Sequence, residues 1–293
     1  MAMDEFSVVM EARKLVRMVN PTAIPAPVEA YVERVGAVLN IDMSLGENEP
    51  GWSFENKGKK YICVNGKDSP ERRRFTICHE LAHLVLGLPS EHQEVPSSSY
   101  VKRVQSEIFC DIFAAELLLP FGLFKPLADK AEIGLASIDA LAGRFNVSFM
   151  ASGSRFAAVV KAPCAFVFSE KGKVRYGVRS TALRDAGAWI APRIEMPQGS
   201  PSARLRGGEA FDGPAEIEAD EWFQHWERGG ALLEEARHLE RFDQTLTLLW
   251  FEDEEVPPPK HGTGRDWEIE EDEDVLLKEL DGVLPWPGKK RRR

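Results

Sequence analysis

Two histidines lie four residues apart in the stretch FTICHELAHLVLG, at His79 and His83, and Glu80 directly follows the first. If this stretch is helical, both imidazole rings lie on one face and can bind a single zinc ion through nitrogen. The glutamate is then placed to act as a general base on water, as in zinc peptidases. The alternative is a helix with two partly exposed histidines and an ordinary glutamate, so the pattern needs support from elsewhere in the chain.

A catalytic zinc site needs a third protein ligand and an open fourth position. The extended pattern with a third histidine does not apply, because positions 86 and 89 hold Leu86 and Pro89. The next helical stretch carries Glu107 and Asp111, four residues apart on one face. Glu107 is predicted to bind zinc and Asp111 to accept the outer N–H of a zinc-bound histidine. Cys110 is the alternative ligand, since zinc also accepts thiolate.

Two helices must position these residues. Ser69 and Pro70 form a helix start, with a capping hydroxyl followed by proline at the first helical position, and Gly87 is a helix stop. The first helix is therefore predicted over residues 70–86. Apolar residues at helical spacing predict the second helix over residues 101–119.

The surrounding sequence mixes helical and strand patterns. Residues 28–39, VEAYVERVGAVL, have helical spacing and are predicted to form an amphipathic helix. GWSFENKGKKYICVNG predicts a β-hairpin with its turn at 56–58, and two short helices are predicted on either side of Asn146. From about residue 163, two pairs of antiparallel strands are predicted.

These patterns predict an α+β fold with a mainly helical, zincin-like peptidase core and a small β-sheet. A helix-turn-helix-like module follows, then a C-terminal mixed α+β domain that is a candidate sensor, and finally an acidic tail predicted to be disordered. The predicted boundaries are 1–125, 126–162, 163–256 and 257–293.

Composition narrows the class of protein. The 293 residues are 43% hydrophobic and 29% charged, as in ordinary globular proteins, and there is no apolar run of the roughly 18 residues that a membrane span needs. The net charge of −10 argues against direct DNA binding, which requires Lys and Arg to neutralise phosphates. Four widely spaced cysteines and an acidic N-terminus without a signal-peptide pattern predict a cytoplasmic protein with reduced thiols.

The stretches NGKDSPERRRFTICHELAHLVLG and SEIFCDIFAAELLLP resemble the ImmA/IrrE family of metallopeptidases. That family places an asparagine and R-F-T before H-E-x-x-H, and E-x-x-x-[ND] before F-A-A-x-L-L-x-P. The resemblance covers residues 25–120 well and 121–160 more weakly, where LAGRFNVS is similar to the helix-turn-helix-like module that often follows the peptidase core.

The resemblance implies a role for each residue of the site. It implies that His79, His83 and Glu107 bind zinc, or manganese in the cell, that Glu80 is the general base, and that Asp111 supports a histidine ligand. It also implies a cytoplasmic endopeptidase that cleaves a cognate XRE-type repressor and so releases stress-response or mobile-element genes. Two other classes remain open: a non-proteolytic protein that binds and inactivates its repressor, and a DNA-binding regulator.

Further candidates lie outside these two helices. Tyr100 and His92, in the loop between them, are candidate donors to the transition state. The second helix of the helix-turn-helix-like module offers only Arg155 as a basic residue, so we expect a packing or substrate-docking role rather than DNA reading. The tryptophans of the C-terminal domain either fill its core, which we favour, or line a pocket for a small-molecule or signal ligand.

Overall fold

The computed structural model describes residues 3–46, 48–89, 104–210 and 213–252. The described residues form ten α-helices, one 3₁₀ helix and eight strands in two sheets, which confirms the predicted α+β class. The helices are α1 (Glu5–Val19), α2 (Val28–Val35), α3 (Pro70–Leu86), α4 (Gln105–Leu118), α5 (Phe121–Ala128), α6 (Leu135–Phe145), α7 (Phe149–Val159), α8 (Thr181–Asp185), α9 (Pro201–Arg206) and α10 (Ala219–Trp222). The strands are β1 (Ala37–Asp42), β2 (Gly51–Asn56), β3 (Lys59–Asn65), β4 (Cys164–Glu170), β5 (Lys173–Arg179), β6 (Ala215–Glu218), β7 (Ala231–Leu239) and β8 (Gln244–Trp250).

The first sheet has three strands in the order β1-β3-β2, so β3 is central and β2 is an edge strand. β1 runs parallel to β3, and β2 pairs with β3 as the predicted antiparallel hairpin. Helix α3 packs against β2 and β3, and α4 packs against α3 and α1. Ile62 and Val64 of β3 are buried in the resulting core. The small sheet and three helices thus form the frame around the histidine motif.

The prediction of a helix over residues 28–39 is wrong for its last four residues. Helix α2 ends at Val35, because Gly36 adopts the left-handed conformation (φ 73°) and closes the helix. The following residues form β1, whose β-branched side chains suit a strand that pairs with β3. Val38, which the helical pattern placed on the buried face, is 55% exposed on this strand.

The two short helices predicted around Asn146 are confirmed as α6 and α7, with Asn146 in the left-handed conformation between them. Ser148 caps α7 by accepting a hydrogen bond from the backbone N–H of Ala151. Helix α7 packs on β4 and β5 of the second sheet. Helices α6 and α7 are therefore part of one hydrophobic core that continues from the first sheet onto β4 and β5 of the second.

Arg155 of α7 is 7% exposed and lies inside the protein. Its guanidinium Nη1 donates to Glu116 of α4 at 2.7 Å, and Arg13 of α1 donates to the same carboxylate at 3.1 Å. Burial by itself would raise the pKa of Glu116, but the two guanidinium groups hold it below its ordinary value. Arg155, the only basic residue that the sequence analysis considered for contacts with DNA, is therefore used in packing inside the protein.

We expect Arg155→Ala to destabilise the protein by about 3–5 kcal/mol, because it leaves Glu116 as a buried charge that has lost one of its guanidinium partners. Urea unfolding measures this loss. The exposed Arg144→Ala on α6 is the control and should change stability by no more than about 0.5 kcal/mol. Equal effects of the two substitutions would show that the ion pair does not hold α7 to α4.

The second sheet is antiparallel, with strand order β5-β4-β8-β7-β6. The two strand pairs predicted from residue 163 onward are confirmed as β4–β5 and β7–β8. Trp222, Trp226 and Trp250 are all buried, in agreement with the core interpretation. One face of the sheet joins the first core, and the other is covered by a second core that includes Trp222 and Trp226.

Part of the sequence-based prediction lies outside the described residues. This applies to the first residues of the predicted helix 101–119, to His92 and Tyr100, and to the predicted tail 257–293. Among the described residues, no helix has both the length and the apolar character that crossing a membrane requires.

Candidate metal centre

Helix α3 carries both histidines and has the predicted bounds, Pro70–Leu86. Ser69 caps its N-terminus by accepting a hydrogen bond from the backbone N–H of Arg72, and Gly87 ends the helix with φ 66°. Both signals are local, so the sequence alone could place the motif near the middle of a helix. His83 is 3% exposed and Glu80 is 2% exposed, so this face of the helix points into the protein.

Helix α4 packs on α3 and brings Glu107 to the two histidines. Nε2 of His79 and Nε2 of His83 are 3.2 Å apart. The carboxylate of Glu107 lies 3.1 Å from Nε2 of His79 and 3.5 Å from Nε2 of His83. Three donors bound to one tetrahedral zinc at about 2.0–2.1 Å would lie about 3.3 Å apart, so the arrangement fits a zinc ion.

The hydrogen-bonding capacity of these side chains is not fully used within the described part of the chain. Within the described residues, Oε1 of Glu107 is buried and has no hydrogen-bond partner. A buried carboxylate oxygen without such a partner carries an energetic cost that a bound cation removes. The donor set therefore fits a metal ion both in spacing and in chemistry.

Asp111 lies behind His79, where the sequence predicted it. Its Oδ1 is 2.9 Å from Nδ1 of His79, on the side of the ring away from His83. Donation from Nδ1–H to this carboxylate leaves the Nε2 lone pair for a metal. The structure thus brings four predicted residues together, namely His79, His83, Glu107 and Asp111.

Cys110 is also close to the histidines. One ligand atom from each of His79, His83 and Cys110 lies within 4.8 Å of the other two. Burial, and after it the negative charges of Glu107 and Asp111, raise the pKa of the Cys110 thiol. The sulfur therefore stays the alternative third ligand, while a carboxylate oxygen of Glu107 lies within 3.5 Å of each of the two ring nitrogens.

The charges at the centre stabilise each other when no metal is bound. Burial favours the neutral form of His79, but the hydrogen bonds to Asp111 and Glu107 outweigh it and raise its pKa to about 10. For His83, burial and the nearby His79 charge lower the pKa. Burial works against the charged form of Glu107, but its contact with His79 holds the pKa of this carboxyl below its ordinary value.

Ser53 is a site residue that the sequence analysis missed. Its Oγ donates a hydrogen bond of 2.8 Å to Oε2 of Glu80. A signal was present in β2, where Trp52 and Phe54 alternate with small residues, so the polar Ser53 faces the helices. Strands normally turn apolar residues toward a core, and this reversed pattern indicates a polar partner beneath the sheet.

Comparison with known proteins identifies a family model that covers the residues of this site. Residues 33–156 match the family model described as Peptidase_M78, the IrrE N-terminal-like domain. These residues are similar to the peptidase domain of the ImmA/IrrE family, the same family that the sequence motifs resemble. The matched residues include α3 and α4, and similarity to a metallopeptidase domain over these helices implies a metal ion.

Two curated relatives share the name radiation response metalloprotease IrrE. The protein from Deinococcus deserti is 28% identical over 169 residues, covering 54% of this chain and 58% of the relative. The protein from Deinococcus radiodurans is 26% identical over 131 residues, covering 43% of this chain and 38% of the relative. The similarity thus spans less than two thirds of either IrrE protein.

A solved structure shares the fold more widely. A Mycobacterium tuberculosis transcriptional regulator aligns with a TM-score of 0.52 and covers 83% of this chain and 75% of its own. Its sequence is 14% identical, so the likeness concerns the fold alone.

Proposed function

We propose that this protein is a member of the ImmA/IrrE family and acts as a cytoplasmic, zinc-dependent endopeptidase, with manganese as a second candidate metal in the cell. Its proposed substrate is a cognate XRE-type repressor, whose cleavage switches on stress-response or mobile-element genes. The observation that carries this proposal is the approach of the Glu107 carboxylate to both histidine Nε2 atoms, beside a buried glutamate. The resemblance of the motifs supports the substrate class.

The residues have distinct tasks in the proposed reaction. His79, His83 and Glu107 hold the ion, and Asp111 fixes the orientation of the His79 ring. A bound zinc ion supplies Lewis acidity, polarising the scissile carbonyl and lowering the pKa of water. Glu80 takes the proton from the attacking water and delivers it to the leaving amide nitrogen. The burial of Glu80 keeps bulk water from competing for that proton.

Two substitutions on α4 decide between the candidate third ligands. We expect Glu107→Ala to abolish stoichiometric zinc binding and Cys110→Ala to retain it, because the carboxylate has the tetrahedral spacing. Metal analysis of the purified proteins after dialysis measures the difference. Full zinc occupancy in Glu107→Ala, with loss in Cys110→Ala, would assign the third ligand to the thiol.

Asp111→Asn should weaken zinc binding by about 10–100-fold without abolishing it. The substitution keeps a hydrogen-bonding group beside Nδ1 of His79 but removes the charge that raises the basicity of the ring. Competition with a chelator of known affinity measures the change. Asp129→Asn, which alters a partly exposed ion pair at the C-terminal end of α5, is the control and should bind zinc as the wild type does.

The main alternative is a protein that inactivates its repressor by binding without cleavage. Incubation of the metal-loaded protein with the repressor encoded beside it, together with a reporter of repression, separates the two. Cleavage at one site by wild type, and reporter release that depends on Glu80, supports the peptidase. Equal release by wild type and Glu80→Gln, with the repressor intact, supports the binder. A DNA-binding regulator is disfavoured by the burial of Arg155.

We further propose a separate role for each region of the chain. Residues 1–125 form the peptidase core, and 126–162 form a helical module with a packing or substrate-docking role. Residues 163–256 are the proposed sensor, with a small-molecule or signal ligand, and 257–293 are proposed as a tail. Tyr100 and His92 remain proposed transition-state donors. Limited proteolysis followed by mass analysis tests the boundaries.

A further inference from the structure

Strand β2 contacts helix α3 at two points that are matched in spacing. Gly51 and Ser53 are two residues apart, so they lie on the same face of the strand. Thr76 and Glu80 are four residues apart, so they lie on the same face of the helix. Gly51 faces Thr76, and Ser53 hydrogen-bonds to Glu80. The strand therefore follows the helix across one full turn.

The contact at Gly51 is too close for any side chain. A Cβ at this position would lie 2.7 Å from Cγ2 of Thr76 and 2.6 Å from the carbonyl oxygen of Cys63 on the neighbouring strand. Both distances are shorter than a non-bonded contact of a carbon atom with oxygen or with another carbon allows. A residue larger than glycine must therefore push β2 away from α3 or from β3. Glycine at this position thus sets the separation between strand and helix.

The contact at Ser53 depends on that separation. Its hydroxyl donates to Oε2 of Glu80 at 2.8 Å, a charge-assisted bond that weakens steeply as the distance grows. A hydrogen bond to one carboxylate oxygen fixes the rotation of the group and leaves lone pairs for an attacking water. Because Ser53 is held in a paired strand, its own position is well defined.

We propose that Ser53 is a positioning residue for Glu80 and that Gly51 is the spacer that brings it into range. This proposal rests on the proposed function, since it assigns Ser53 a task in orienting the catalytic base. Ser53 holds the carboxylate in the rotation that suits proton transfer and touches neither substrate nor metal. Its loss lowers the rate of the chemical step and leaves binding of the substrate and the ion unchanged.

The kinetic test compares Ser53→Ala, Ser53→Thr and Gly51→Ala in the metal-loaded, full-length protein. Ser53→Ala and Gly51→Ala should each lower kcat by about 10-fold, with KM and zinc content unchanged, because only the orientation of the base is lost. Ser53→Thr keeps the hydroxyl and should recover most of the rate. Ser169→Ala, a buried strand serine in β4, is the control and should retain full activity.

A double-mutant cycle of stability measures the same contact and needs no activity assay. Urea unfolding of wild type, Ser53→Ala, Glu80→Ala and the double variant should give a coupling of about 5–10-fold in the unfolding equilibrium constant. A coupling factor near one, or wild-type kcat in Ser53→Ala, overturns the positioning role. If wild type cleaves no repressor at all, the proposed function fails, and the coupling still reports whether the contact exists.

Discussion

His83→Ala is expected to lose the bound metal together with all cleavage of the repressor. The side chain is 3% exposed, and its Nε2 lies within 3.5 Å of both His79 and Glu107. Removing it leaves two protein donors, fewer than the three of catalytic zinc sites. The fall in affinity should exceed the roughly 10–100-fold that follows loss of an outer hydrogen-bond partner. Metal analysis after dialysis and a cleavage assay measure both losses.

Two further variants make the His83 result interpretable. His83→Phe keeps a ring in the buried position and should give the same loss of metal, which separates lost ligation from a cavity in the core. His238→Ala removes a histidine of the C-terminal sheet that is bonded to Thr245, and it should leave zinc content unchanged. Stoichiometric zinc in a folded His83→Phe variant would show that His83 is not a ligand.

Glu80→Gln is expected to keep the metal and lose the reaction. The amide has the shape of the carboxylate and can still accept the hydrogen bond of Ser53, so the site should stay assembled. It cannot take up a proton, and loss of a general base costs about 10²–10⁴-fold in kcat. Zinc content should match that of wild type. Single-turnover cleavage assays measure the rate.

The matched control for this variant lies on the same helix. Glu71→Gln changes a glutamate in the first turn of α3, two turns from the site, and should cleave at the wild-type rate. Loss of metal in Glu80→Gln would move Glu80 into the ligand set. Equal rates for Glu80→Gln and wild type would remove its role as the base.

The sequence was sufficient where the determinants are local. The bounds of α3 follow from Ser69, Pro70 and Gly87, which act within one turn of the helix ends. The faces of α3 and α4 follow from helical periodicity, so the histidines and the two carboxylates could be paired before their contact was known. In the structure the two carboxylates lie beside His79, and this approach depends on how the two helices cross.

The sequence was insufficient where tertiary contacts determine the local structure or bring distant residues together. Val38 continues the helical spacing of α2, yet pairing with β3 and the left-handed Gly36 place it in a strand. Ser53 and Glu80 are separated by 27 residues, so no local pattern joins them. Helix α1 was not predicted, although the capping box of Asp4 and Ser7 was a usable signal. Such contacts arise only once the sheet lies on the helices.

The central claim is that His79, His83 and Glu107 hold a metal ion at which Glu80 drives hydrolysis of a repressor. Intact-mass analysis of the neighbouring repressor, after incubation with the metal-loaded protein, tests it most directly. We predict two fragments whose masses sum to that of the repressor plus one water, with wild type and not after removal of metal or in Glu80→Gln. An uncleaved repressor with wild type, or the same fragments from Glu80→Gln, would contradict the claim.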